Sequence, residues 1–277
     1  MTTTELIQHR GMPAVRWRSP EGAAAIATLQ GAHLVSWTLP GGEENLYVSE
    51  RSPFEPGRPI RGGIPVVFPQ FAERGPLAKH GFARTHEWTL VDDHDASVTL
   101  ALDSSPQTRA IWPHDFRLEL VATLGDHGLD VELRVTNPGR EAFTFASALH
   151  TYLRISDSAS VKLEGLRGVR FTNHGSNDVH VETRELVTAH PPIDRVYLAP
   201  PGKLELHDSG RRIHIEQRGF TDTVVWNPGA EFTAGMPDMP PDGYRRMFCV
   251  EAAALEPLVQ LAPGATWTGR QSLAVTP

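Results

Sequence analysis

The chain has 277 residues, with 26 Lys and Arg against 33 Asp and Glu, a net charge of −7 and a single cysteine. The acidic balance argues against a nucleic-acid grip, which needs a basic face to displace counterions, and the lone Cys249 excludes an intramolecular disulfide and fits a reducing, cytoplasmic setting. The first ten residues lack the apolar core of a signal peptide, and no stretch approaches the ~20 consecutive apolar residues of a membrane helix, so a soluble protein without membrane contact is expected.

The dominant period along the chain is two. Strands are expected at 23–29 and 34–39, after which 60–84 reads as a turn-rich crossover and Asp92-Asp93-His94-Asp95 as a solvated turn. Another strand is expected at 98–102. The runs 116–124 and 129–135 alternate apolar and polar residues around Gly125-Asp126-His127-Gly128, which supplies the turn of a hairpin. Strands at 143–155, 161–163 and 179–182 follow. A second hairpin pairs 204–207 with 213–216 across Asp208-Ser209-Gly210, and 223–226, 247–253 and 267–275 complete the series. Glycine (24) and proline (23) are abundant enough to punctuate so many short elements. No window carries a helical stripe, and the Pro-rich pieces 189–193 and 236–243 are too short to be linkers. The expectation is one all-β domain over residues 1–277, an antiparallel sandwich or barrel.

Thirteen histidines raise the question of a metal, but the short His-rich spacings of zinc and iron sites are missing, and no metal or cofactor is expected. Cys249 has no Cys-x-x-Cys partner and sits in an apolar strand, which favours a buried, inert thiol. Three segments ask for more than a fold explanation. In Ile60-Arg-Gly-Gly-Ile and Lys79-His-Gly-Phe-Ala-Arg84, glycines 62, 63 and 81 could let a ligand approach backbone N–H groups, and Arg61 and Arg84 offer forks suited to a phosphate; a crossover with solvated arginines is the alternative. In Ala148-Leu-His-Thr-Tyr152, His150 interrupts an apolar strand, either as a hydrogen-bonded core residue or as a catalyst. In Phe248-Cys-Val-Glu-Ala-Ala-Ala254, Glu251 sits among small apolar neighbours, and a buried carboxylate must be paired or face a polar cleft. Glu251 with His150 is therefore the pair expected to carry chemistry.

These segments, with Gln30-Gly-Ala-His-Leu, Asp194-Arg-Val-Tyr197, Val225-Trp-Asn-Pro228 and Met239-Pro-Pro-Asp-Gly-Tyr244, resemble the galactose mutarotase-like superfamily in its hexose-6-phosphate epimerase branch. The resemblance covers most of the chain. It implies a β-supersandwich with an open cleft, no metal, and interconversion of the α and β anomers of a hexose 6-phosphate; a monomer without cofactor, with a small sugar phosphate as its partner, is expected. It places the catalytic pair on His150 and Glu251, substrate-contacting arginines on Arg61 and Arg84, and a sugar-contacting aspartate on Asp194. Lys79 stands where the family pattern has Gln or a small residue, and His80 could also line the cleft; the roles of both stay open.

At reference pKa values of about 4.3 and 6.5, the carboxylate is ionised at neutral pH and the imidazole partly protonated. Glu251 is then the expected base and His150 the expected acid for ring opening, with activity rising through the first value and falling through the second. Arg84→Ala is expected to weaken use of the phosphate ester by about 1.5–3 kcal/mol. A non-catalytic sugar-binding module, a mutarotase acting on free aldoses and a two-carboxylate glycosidase are the rival readings.

Overall fold

Period-two patterning is realised as three antiparallel sheets in the computed structural model, which describes residues 3–189 and 192–276. His190 and Pro191, the middle of the expected Pro-rich loop, lie outside the described residues. The first sheet takes Thr3–His9, Met12–Arg18, Ala24–Thr28 and His33–Thr38 in chain order. The second runs in space Val179–Val181, Arg170–Asn173, Ile193–Leu198, Asp222–Asn227, Met247–Leu261, Phe143–Leu149, Val66–Val67, with Tyr152–Arg154 also pairing to Met247–Leu261. The third runs Leu186–Thr188, Lys162–Glu164, Lys203–Asp208, Arg211–Arg218, Thr266–Thr276, Gly128–Thr136, Arg117–Leu124, Ser97–Asp103, Thr89–His94.

Both expected hairpins form, Arg117–Leu124 with Gly128–Thr136 and the Lys203 strand with Arg211–Arg218. Alternation then decides what packs where. Leu129, Val131 and Leu133 from the third sheet meet Phe145, Leu149, Phe248, Val250 and Ala252 from the second in one continuous core. Trp17, Trp37 and Trp88 are fully buried, so half of the six tryptophans belong to the fold and cannot serve as a sugar platform.

Only two α-helices occur among the described residues, each of six residues, as the absence of a helical stripe implies. Ser105 caps Pro106–Ile111 by accepting from the Thr108 N–H, with proline in the first turn where its missing donor is harmless. No described helix is long and apolar enough to cross a membrane.

The sequence reading missed several strands and misplaced two boundaries. Asp92, Asp93 and His94 belong to an exposed edge strand, Thr89–His94, and the reversal falls at Asp95 and Ala96, both with left-handed φ (46° and 62°). Charge on an edge strand is a deterrent to further pairing, which explains a polar run that alternation alone reads as a turn. The 143–155 run is broken at His150 and Thr151: the His150 N–H donates to Pro65 O (3.0 Å), leaving the partner strand's register, and Thr151 turns inward to Gln271.

Candidate active site

The outer face of the second sheet forms the floor of an open cleft of about 1480 Å³. Because side chains alternate, cross-strand neighbours share a face, and the register sets them in rows. Asp194 lies opposite Trp226, Trp226 opposite Cys249, and Cys249 opposite Tyr152. In the next row Val224 lies opposite Glu251, and His150 follows Leu149, whose partner is Ala252. The strand carrying Glu251 thus sends Phe248, Val250 and Ala252 to the core, and Cys249 and Glu251 to the other side.

His150 and Glu251 come together as expected. Nδ1 of His150 is 3.3 Å from Oε1 of Glu251, with the two side chains 10% and 1% exposed. The contact is not aligned as a hydrogen bond, and His150 Nδ1 and Glu251 Oε2 are both buried without a hydrogen-bond partner. Buried polar atoms without a partner cost free energy, so this pair offers hydrogen-bonding capacity that the protein itself does not use. The imidazole is stacked on Tyr152 (centroids 4.8 Å, planes at 10°) and meets Trp226 and His80 edge-on, so its plane is fixed on three sides.

Burial changes the protonation expected from reference values. Burial, then the Asp194 charge, hold the Glu251 carboxyl well above the usual carboxylate range. Burial first, then His80, Arg84 and Arg61, push His150 well below the usual histidine range. Both groups therefore favour their neutral forms, with one proton between them and that proton on the carboxyl.

Around this pair the chain assembles cations despite its net negative charge. Arg61 lines the cleft; its Nε donates to Asp238 Oδ2 (3.1 Å), Nη2 lies at the same distance from that oxygen, and Nη1 donates to the Tyr152 hydroxyl (3.2 Å). N–H groups remain on both terminal nitrogens for a ligand. Lys79 also lines the cleft, half-exposed and 3.0 Å from Glu73. Arg84 does not line it: the guanidinium is mostly buried behind, Nη2 donates to the Lys79 carbonyl (2.8 Å), Nε has no partner, and burial lowers its pKa to about 10. His80 lines the cleft with Nδ1 accepting from the Ala72 N–H; burial, then Arg84, Lys79 and Arg61, depress its pKa to about 3, so it is a neutral group inside a positive field. Asp194 lines the cleft too, its pKa raised by burial.

Gly63 and Gly81 do not play the part expected of them. A Cβ on Gly63 would lie 2.1 Å from Leu34 O, and one on Gly81 2.1 Å from Phe68 O; their N–H groups already donate to Tyr47 O and Ala78 O. With φ of 66° and 68° both sites need glycine, and the reason is close packing of the chain against itself rather than approach of a ligand.

Trp226, Tyr152 and Asp238 were not singled out from the sequence. Trp226 sits in a strand buried on both faces, where a core tryptophan reads identically, and Asp238 meets Arg61 across 177 positions, a pairing that leaves no local signal. Asn227 explains how the rim is held: Nδ2 donates to Tyr244 O and Met247 O and Oδ1 accepts from Gly229 N–H, tying the helix Gly229–Ala234 to the loop that carries Asp238.

Known proteins share this architecture and much of this sequence. The family model described as aldose 1-epimerase matches residues 13–274. A candidate glucose-6-phosphate 1-epimerase of Salmonella typhimurium is 40% identical over 243 residues, covering 84% of this chain and 80% of that protein. Another, from Cenchrus ciliaris, is 34% identical over 282 residues, covering 96% and 86%. The crystal structure of a candidate mutarotase from Salmonella typhimurium superposes with a TM-score of 0.89 at 34% identity, over 99% of this chain and 93% of that one. With the family model spanning nearly its whole length and relatives above 30% identity covering most of it, the chain belongs to the aldose 1-epimerase family.

Proposed function

We propose that the protein interconverts the α and β anomers of a hexose 6-phosphate, with His150 and Glu251 as its acid/base pair. The observation that carries this is an imidazole and a carboxyl 3.3 Å apart, each with a buried, unpartnered polar atom, on the floor of a cleft with cations at its wall. Ring opening removes the proton from the anomeric hydroxyl, delivers one to the ring oxygen and breaks the bond between that oxygen and the anomeric carbon. Rotation of the aldehyde and closure from the other face reverse the transfers. One proton is taken and one given, so a pair holding a single proton suffices. That proton rests on Glu251; moving it across the 3.3 Å contact gives carboxylate and imidazolium, the base and acid for opening, and closure exchanges the roles. Arg61 and Lys79 receive the phosphate, Arg84 adds its charge from behind while fixing the Lys79 backbone, and Asp194 orients hydroxyls. The close relatives named for glucose 6-phosphate support this substrate class.

Saturation-transfer NMR on glucose 6-phosphate and glucose in parallel tests the activity. Exchange confined to the phosphate ester is expected, and no enhancement on either sugar would defeat the assignment.

The pH profile carries a sign. Activity needs one proton on the pair, so it is lost at low pH when His150 gains a second and at high pH when Glu251 gives up the last. The acid limb therefore belongs to the imidazole and lies well below 6.5, and the alkaline limb belongs to the carboxyl and lies well above 4.5. This inverts the assignment made from reference values. Measured kcat/KM is expected to depart from the rise at about 4.5 and fall at about 6.5 that solvated groups would give; limbs at both of those values would show both groups solvated.

Arg61→Ala is expected to lower kcat/KM for the phosphate ester by about 1.5–3 kcal/mol, roughly ten- to hundredfold, the scale of a charge-assisted hydrogen bond. Rates on glucose should change far less. An equal loss on both sugars would remove the phosphate role and leave Arg61 as the partner of Asp238 and Tyr152.

A further inference from the structure

The chemistry above uses His150 and Glu251 and gives Cys249 no task. Cys249 lies two residues before Glu251 on one strand and so on the same face, its side chain fully buried. Ligand atoms of His150, Cys249 and Glu251 all lie within 4.8 Å of one another. The 3.3 Å between His150 Nδ1 and Glu251 Oε1 is close to the ~3.3 Å edge that two ligands span on a tetrahedral ion when each bond is about 2.0–2.1 Å. Independently, His150 Nδ1 and Glu251 Oε2 are buried without partners. A thiolate and a carboxylate also cancel a divalent charge, which removes the main cost of placing an ion in a dry site.

We propose that His150, Cys249 and Glu251 form a three-ligand site for a thiophilic divalent ion, Zn²⁺ above all, and that the ion inhibits the enzyme by occupying its acid/base pair. The ion displaces the thiol and carboxyl protons to solvent, takes the neutral imidazole as third ligand, and keeps its fourth position open to the cleft. Mg²⁺, which demands oxygen ligands in octahedral array, is not accommodated. Ion binding rests on the donor set alone, whereas inhibition also rests on the proposed roles of His150 and Glu251, and the two are read separately.

The test uses the full chain carrying His207→Ala, because Glu164, Glu205 and His207 form a second, more exposed donor group that would confuse stoichiometry. Titration with Co²⁺ as the spectroscopic probe is expected to show one equivalent bound with a thiolate-to-metal charge-transfer band, displaced by Zn²⁺ and unaffected by Mg²⁺. Cys249→Ala should lose that band. In anomer exchange, Zn²⁺ should inhibit and a chelator restore activity, while Cys249→Ala keeps metal-free exchange and needs at least about tenfold more Zn²⁺ for the same inhibition. Cys249→Ser makes the same comparison with a side chain closer in shape if the alanine variant does not fold. A missing thiolate band, or equal Zn²⁺ sensitivity with and without the thiol, overturns the site. A band with full exchange activity retained would keep the ion site and overturn the roles of His150 and Glu251.

Discussion

Glu251→Gln is expected to lower kcat for anomer exchange by about 10²–10⁴-fold, the range supplied by a positioned acid or base, and to leave sugar-phosphate binding within a few-fold of its original strength. Glutamine keeps the shape of the side chain in the row beside Val224, but its amide neither takes nor gives the proton that the pair shares. The same variant separates chemistry from folding. A carboxyl whose pKa is raised on folding binds its proton more tightly in the native state than in the unfolded chain. Its contribution to stability therefore falls as pH climbs from the unfolded value, near 4.5, toward the folded one. Glutamine has no such dependence. Urea unfolding should show the variant gaining on the parent as pH rises above 4.5, while NMR exchange shows it nearly inactive. Retention of more than about a tenth of the parent turnover would require another base.

The largest expected loss of stability belongs to Phe68→Ala, at about 3–5 kcal/mol, the cost of removing a fully buried aromatic ring and leaving a cavity. Phe68 has no exposed surface and meets four aromatic rings, those of Phe82, Trp112, Phe116 and Phe145, with centroids 5.3–6.1 Å away. No single neighbour can shift to fill the gap, because each is held by others in the same cluster. Its carbonyl also accepts from the Phe82 N–H (3.1 Å), so the residue fastens the segment that carries Lys79 and His80 to the sheet. Denaturant midpoints should move accordingly, with Phe68→Leu intermediate. A change below about 1 kcal/mol would mean that the cluster collapses around the hole.

Much of this was legible because half-buried antiparallel sheet writes its geometry into the sequence with period two. The hairpin Arg117–Leu124 with Gly128–Thr136 shows it best, since one face meets the core and the other meets water. His150 and Glu251 stood out for the converse reason: a polar residue at a position that the pattern marks as buried must be either satisfied or functional. Where both faces of a strand are covered, the signal fades. Ile193–Leu198 was missed because Arg195 points inward with Tyr197, both bonded to the buried Glu182, and so breaks the alternation. Thr3–His9 is mostly exposed and Met12–Arg18 is mostly buried, and neither alternates cleanly. Arg84 kept its charge near the site yet lost its place in the cleft wall, because a motif fixes which residues are neighbours and not which way a long side chain turns. The protonation of His150 and Glu251 was invisible for a further reason: it depends on desolvation by the whole fold.

The two strands that come last in chain order, Met247–Leu261 and Thr266–Thr276, lie inside the two larger sheets rather than at their edges. During synthesis, the partners of both strands therefore leave the ribosome with unsatisfied edges and wait. Asp222–Asn227 and Phe143–Leu149 have no hydrogen-bonded link between them until residue 247 and its successors arrive, and Gly128–Thr136 waits likewise for Thr266–Thr276. Such long-range closure is slow and leaves aggregation-prone intermediates. Folding of this chain is thus completed late, by two successive strands that each join the halves of one sheet, the first of them delivering Glu251.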